Sequence, residues 1–131
     1  MSAIDELEKH AVGLHEATGI TAQLISDGTR IFILLSKVRL PSGLFQIEET
    51  DVLYITDQQY PCSAMDMFWT EINVVRPDGS IPQNAETIQE YLGRSWRRFS
   101  WHRNGIWNPA GNPLLDHYCF MEARWAKELN K

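Results

Sequence analysis

The chain has 131 residues, 44% of them apolar and 22% charged, a composition typical of globular domains, and a chain of that size buries about two thirds of its unfolded surface without help from a disulfide or a metal. A net charge of −5, from 12 Lys and Arg against 17 Asp and Glu, argues against a nucleic-acid-coating protein. The longest apolar run, residues 31–35, is too short to span a membrane, and the acidic start Ser2-Ala3-Ile4-Asp5-Glu6 lacks the apolar stretch of a signal peptide.

Ile4, Leu7, Ala11 and Leu14 recur at steps of three and four, so a first helix is predicted between the start signal Ser2-Asp5-Glu6 and Gly19. His10 and His15 lie five apart on it, not on one face for a metal, and are read as exposed. Strand signals follow at 21–26, then the Asp27-Gly28 hairpin signal, then the β-branched run 30–38. After the turn Pro41-Ser42-Gly43, residues 51–56 and 67–75 complete an antiparallel meander. Residues 76–95 hold Pro77, Gly79, Pro82 and Gly93, with a short helix expected over 85–92. Residues 94–107 are basic and aromatic. A last helix runs from Pro113 onward, with Leu114, Tyr118, Met121 and Trp125 as a core-facing stripe. Helix, meander, irregular segment and helix make an α+β order, read as a single domain over 1–131.

Two short segments carry more than packing. Tyr60-Pro61-Cys62-Ser63-Ala64-Met65-Asp66-Met67-Phe68 follows the third strand, and Trp107-Asn108-Pro109-Ala110 precedes the last helix. Together and in this order they resemble the Tyr-Pro and Trp-x-Pro-Ala signatures of the ubiquitin-conjugating (E2, UBC) superfamily, most closely the bacterial E2-like proteins encoded beside ubiquitin-like modifiers. The resemblance implies a UBC-like fold: an antiparallel meander between a first and a last helix. It also implies a transferase role in ubiquitin-like conjugation. The implied partners are a ubiquitin-like protein, a ThiF/E1-type activating enzyme and a deconjugating peptidase of the same pathway.

The superfamily places its catalytic cysteine about eight residues before the Trp-x-Pro turn. Counting back from Trp107 reaches Phe99 and Ser100. An alternative alignment through Gly79-Ser80-Ile81 puts Pro82 there. Neither offers a cysteine, so the usual thioester is not expected. The superfamily's His-Pro-Asn finds its nearest match in Arg76-Pro77-Asp78, which lacks the amide.

Ser100-Trp101-His102 supplies the candidate chemistry. On an extended segment residues i and i+2 share a face. A serine hydroxyl needs an adjacent base, histidine is the usual one, and a third group should orient the imidazole. Asp78, Asp116 and His117 are candidates for that third role. The expected intermediate is a serine oxyester of the modifier. Ser-x-His pairs also arise by chance, and then do nothing. Cys62 is the alternative nucleophile, intrinsically stronger as a thiolate but placed at the partner-binding end of the resembled fold, with no neighbouring cation. Cys119 is read as a small buried hydrophobe. The two cysteines have no metal-ligand spacing, and no metal or other cofactor is expected. A reduced, cytoplasmic protein is the implied setting.

Arg94, Arg97, Arg98 and Arg103 interleave with Trp96, Phe99, Trp101 and Trp107. They are read first as a dock for an acidic partner surface, next as a solvated face, and last as a nucleic-acid contact. Tyr60, Pro61, Met65, Met67 and Phe68 form an apolar group where the resembled fold meets ligase-type partners. The competing readings are a carrier using Ser100 and His102, a catalytically inactive scaffold that binds the modifier or its activating enzyme, and an unrelated α+β binding domain.

Overall fold

The computed structural model describes residues 2–103 and 105–128; Asn104 of the basic segment, and whatever of the predicted last helix falls beyond 128, lie outside the described residues. Helix α1 spans Ala3–Thr18. The Ser2 hydroxyl accepts from the Asp5 N–H and the Asp5 carboxylate accepts from the Ser2 N–H, so two of the orphan donors at its start are satisfied. Gly19, at φ 77°, closes its other end with a bond from its N–H to the His15 carbonyl.

Six strands follow: β1 Ala22–Asp27, β2 Arg30–Arg39, β3 Glu49–Asp57, β4 Phe68–Thr70, β5 Ile88–Tyr91 and β6 Arg94–Phe99. Helix α2 spans Pro113–Glu128. The strands form one antiparallel sheet in the order β1-β2-β3-β4-β6-β5. This is the α+β architecture expected from the sequence, with a helix at each end of the sheet-forming segment. It is consistent with a UBC-like fold.

Strand alternation splits the apolar residues between two faces. Ile31, Ile33 and Leu35 of β2, Val52 and Tyr54 of β3, Phe68 of β4 and Phe99 of β6 join Leu7 and Leu14 of α1 and Leu114, Met121 and Trp125 of α2 in the main core. Phe32, Leu53, Trp69 and Trp96 point the other way and form a second cluster. Arg94 covers Trp96 at 4.3 Å and Arg30 covers Phe32 at 5.4 Å. Phe68 is the hub of the main core. Its ring stacks on Phe99 at 5.1 Å and meets the rings of Trp101, Trp125 and Phe120 at 5.6, 5.5 and 6.4 Å.

Several local expectations are corrected. The segment expected to be a short helix over 85–92 instead carries strand β5, joined to β6 by a turn at Leu92 and Gly93 with φ 55° and 74°. Two successive positive φ values are what a two-residue hairpin connection needs to match strand twist. The strand expected over 67–75 is only three residues long, because the chain turns at 71–75. Residues 94–99 of the supposed irregular segment are a paired strand. His10 is buried rather than exposed, its Nδ1 2.7 Å from the Tyr60 hydroxyl. Cys119 is exposed rather than buried. Among the described residues no helix is long and apolar enough to cross a membrane.

Candidate functional site

The candidate site lies where β4 and β6 pair. Phe68 sits opposite Phe99, and Trp69 opposite Arg98. The loop entering β4 and the segment leaving β6 are therefore brought side by side. Phe99 and Trp101 both enter the main core. Ser100 and His102 flank the buried Trp101, whose indole N–H is held by the Gln83 carbonyl at 2.8 Å. With Trp101 turned in, Ser100 and His102 fall on the opposite, outward side of the chain. The Ser100 N–H donates to the Asn84 carbonyl at 3.0 Å and pins the segment from behind.

The carboxylate that meets His102 is Asp66. His102 Nδ1 hydrogen-bonds one of its oxygens, and the backbone N–H of Arg103 donates to the other at 2.9 Å. Partial burial pushes the Asp66 carboxyl up. The bonds from His102 and Arg103 more than offset it, and its pKa falls below the ordinary carboxylate value. With Nδ1 turned to a carboxylate, the proton belongs on Nδ1 and Nε2 is the free acceptor, the tautomer a general base requires. The His102 and Asp66 side chains are 64% and 50% exposed, so an incoming polypeptide end can reach them.

A shallow cavity of about 240 Å³ opens beside the pair, lined by Ala64, Met65, Asp66, Arg103, Gly105 and Trp107. The Trp107 indole N–H donates to the Pro61 carbonyl at 2.7 Å, which ties the Tyr-Pro turn to the Trp-x-Pro turn.

The other residues singled out from sequence fall elsewhere. Asp78 turns back on its own loop, where Ser80 N–H and Oγ–H donate to it at 2.9 and 2.6 Å; its described hydrogen bonds lie within its own loop, and His102's carboxylate partner is Asp66. Asp116 is an exposed residue in the first turn of α2. His117 is buried under the site. Its Nε2–H donates to the Met67 carbonyl at 2.9 Å and its ring packs edge-on against Tyr54 at 4.6 Å. Cys62 is exposed on the turn after Pro61, its N–H bonded to the Gln59 carbonyl at 2.8 Å.

The arginines do not assemble into one basic dock. Arg97 is 8% exposed, its guanidinium donating to the carbonyls of Ile72 and Ala85 at 2.7 to 3.1 Å. It cross-links two turns and is not offered to a partner. Arg94 pairs with Asp51 at 3.0 Å on the outer sheet face. Arg98 is half-buried, and its Nη2 lies 3.5 Å from the Thr87 hydroxyl. Arg103 lies over Trp107 at 5.0 Å. Tyr60 is likewise a core residue, 3% exposed, and only Pro61 of that pair is partly accessible.

Burial holds His117 neutral, with its pKa lowered to about 4. The sign follows from proton counting. Below the unfolded value near 6.5 the unfolded chain binds a proton that the native chain refuses, so stability falls as the solution is acidified. The loss is complete once the pH drops through about 4, and amounts to roughly 3 kcal/mol. Urea titrations between pH 7 and 4 on the intact chain and on His117→Gln should show a shallower acid slope in the variant. Equal slopes would mean that another group governs acid stability.

A family model described as Prokaryotic E2 family E matches residues 8–128, nearly the whole chain. No curated protein and no solved structure matches.

Proposed function

The chain belongs to prokaryotic E2 family E, which implies a role in ubiquitin-like conjugation, and from that premise we propose that it receives a ubiquitin-like protein from a ThiF/E1-type activating enzyme and carries it as an oxyester on Ser100. The observation that supports this reading most is the His102–Asp66 pair, two residues along the chain from Ser100. Trp101 is locked into the core, and strand alternation then turns Ser100 and His102 to the other side of the segment. In the proposed step the Ser100 Oγ attacks the activated C-terminal carbonyl and His102 Nε2 takes the hydroxyl proton. The bond from carbonyl to activating enzyme breaks, and the leaving group takes up the proton from His102. A lysine amine then attacks the ester, and His102 serves the same way in the second half. Asp66 keeps the imidazole in the required tautomer and stabilises its cation. A deconjugating peptidase would act on the product in the same pathway.

The test mixes the protein with the activating enzyme of its own genome, the processed modifier and ATP, followed by intact mass measurement. An adduct that survives thiol reductant, is released by hydroxylamine and is lost in Ser100→Ala is the expected result. A reductant-sensitive adduct lost in Cys62→Ala would move the nucleophile to Cys62. No adduct with retained binding to the activating enzyme would make the chain a scaffold.

A further inference from the structure

The pair at the site is made from two side chains standing in solvent, and such pairs hold a fixed geometry only when something rigid orients one partner. Among the described residues the hydrogen-bond donors to Asp66 are His102 and the backbone N–H of Arg103. The segment 100–103 has left the sheet ladder, and among the described residues its last backbone–backbone bond is the one from Ser100 to Asn84. Trp101 anchors the segment in the core, and beyond it the position of the Arg103 N–H depends on where the Arg103 side chain is held. That side chain lies over the Trp107 ring at 5.0 Å, with the ring of Phe120 from α2 at 5.9 Å. Trp107 is in turn fixed through its indole N–H to the Pro61 carbonyl at 2.7 Å. A cation above an indole face is attracted by the ring's negative face, more strongly when the contact is partly desolvated. That attraction biases a short unladdered segment.

We propose that Trp107 is a positioning residue for the His102–Asp66 pair. It clamps the Arg103 guanidinium, Arg103 N–H then orients Asp66, and Asp66 holds His102 with Nε2 facing outward. The catalytic meaning of this relay rests on the carrier reading above, but its geometric content does not.

The test is therefore spectroscopic and uses the full chain without any partner. Nitrogen-15 spectra report the His102 Nδ1–H, and carbon-13 spectra follow the Asp66 carboxyl through a pH titration. Other groups facing Asp66 include His117 from below and Arg103, so each variant is compared at matched protonation of His117. Trp107→Leu is expected to move the Asp66 midpoint up into the ordinary carboxylate range and to lose the Nδ1–H signal to solvent exchange. Trp107→Phe, which keeps a ring face and lacks the indole N–H, should retain most of both. A folded Trp107→Leu with both signals unchanged would overturn the proposal. Should that variant not fold, Arg103→Met carries the test, since it keeps the stem and removes the cation. The same upward shift is expected there, and an unchanged Asp66 midpoint would overturn the relay. If the shifts appear while the unaltered protein takes no modifier in the charging experiment, the carrier reading fails and the positioning role stands.

Discussion

Phe68→Ala is expected to lower the unfolding free energy by about 4 kcal/mol. The residue is wholly buried and touches four other aromatic rings contributed by β6, the segment after it and α2. Truncation loses the transfer energy of the ring and leaves a void that those neighbours cannot fill. Indoles and phenyls locked in stacked and edge-on contacts have few alternative rotamers. Phenylalanine-to-alanine changes in cores cost about 3–5 kcal/mol, and this site stands toward the upper part of that range because two elements lose contact at once. In urea the midpoint should fall with little change in slope. Phe68→Leu should recover more than half of the loss. A drop below about 1.5 kcal/mol would mean that the space collapses and that the aromatic cluster is not the rigid junction described.

Asp66→Asn is expected to slow modifier transfer on the order of 100-fold while leaving stability nearly unchanged. The amide is isosteric, and its oxygen still accepts from the Arg103 N–H. Its nitrogen, however, is a donor, and His102 would answer with Nδ1 as acceptor. The proton then resides on Nε2, where it blocks the atom proposed to take the Ser100 proton. In enclosed triads the same change costs about 10⁴ in rate. Here the pair is half in water, which can partly restore the other tautomer, and the smaller figure follows from that exposure. Single-turnover transfer rates for the two proteins, with denaturation midpoints alongside, decide the matter. Equal rates would remove Asp66 and His102 from the chemistry and favour a nucleophile that works without them, such as Cys62.

How much of this was readable in the chain itself can be judged residue by residue. The helices announce themselves by periodicity, since each buries one face and exposes the other, while β2 and β3 show as short, nearly continuous apolar runs buried on both faces. His10 is an instructive miss. It falls in the series Ala3, Leu7, His10, Leu14, which is the buried face of α1, so the spacing that identifies the helix also places the histidine inward. Ala85, Ile88 and Leu92 are spaced three and four apart and imitate a helical face, while the hairpin they belong to turns through Leu92, a residue rarely chosen for positive φ. No local signal corrects that. Arg97 occupies a core-facing place in β6, and only the tertiary carbonyls of Ile72 and Ala85 make this tolerable. The largest gap concerns Asp66. The register Phe68↔Phe99, extended by two places, sets it opposite Trp101 and next to His102. That register joins segments far apart in sequence, so the partner of His102 became identifiable only once β4 was seen against β6.

The same seam governs the order in which the molecule can be assembled. The meander β1–β2–β3 and the hairpin β5–β6 are each local and form without long loops. Joining β4 to β6 closes a loop of some 25 residues, an entropic cost of roughly 3 kcal/mol that must be met before any rung of the ladder compensates it. Asp66 enters from one side of this seam and Ser100 and His102 leave from the other. A chain caught with its meander formed and its seam open holds neither the pair nor the cavity. Competence at the site is thus a property of the finished fold alone, and a partly folded molecule cannot engage a modifier through it.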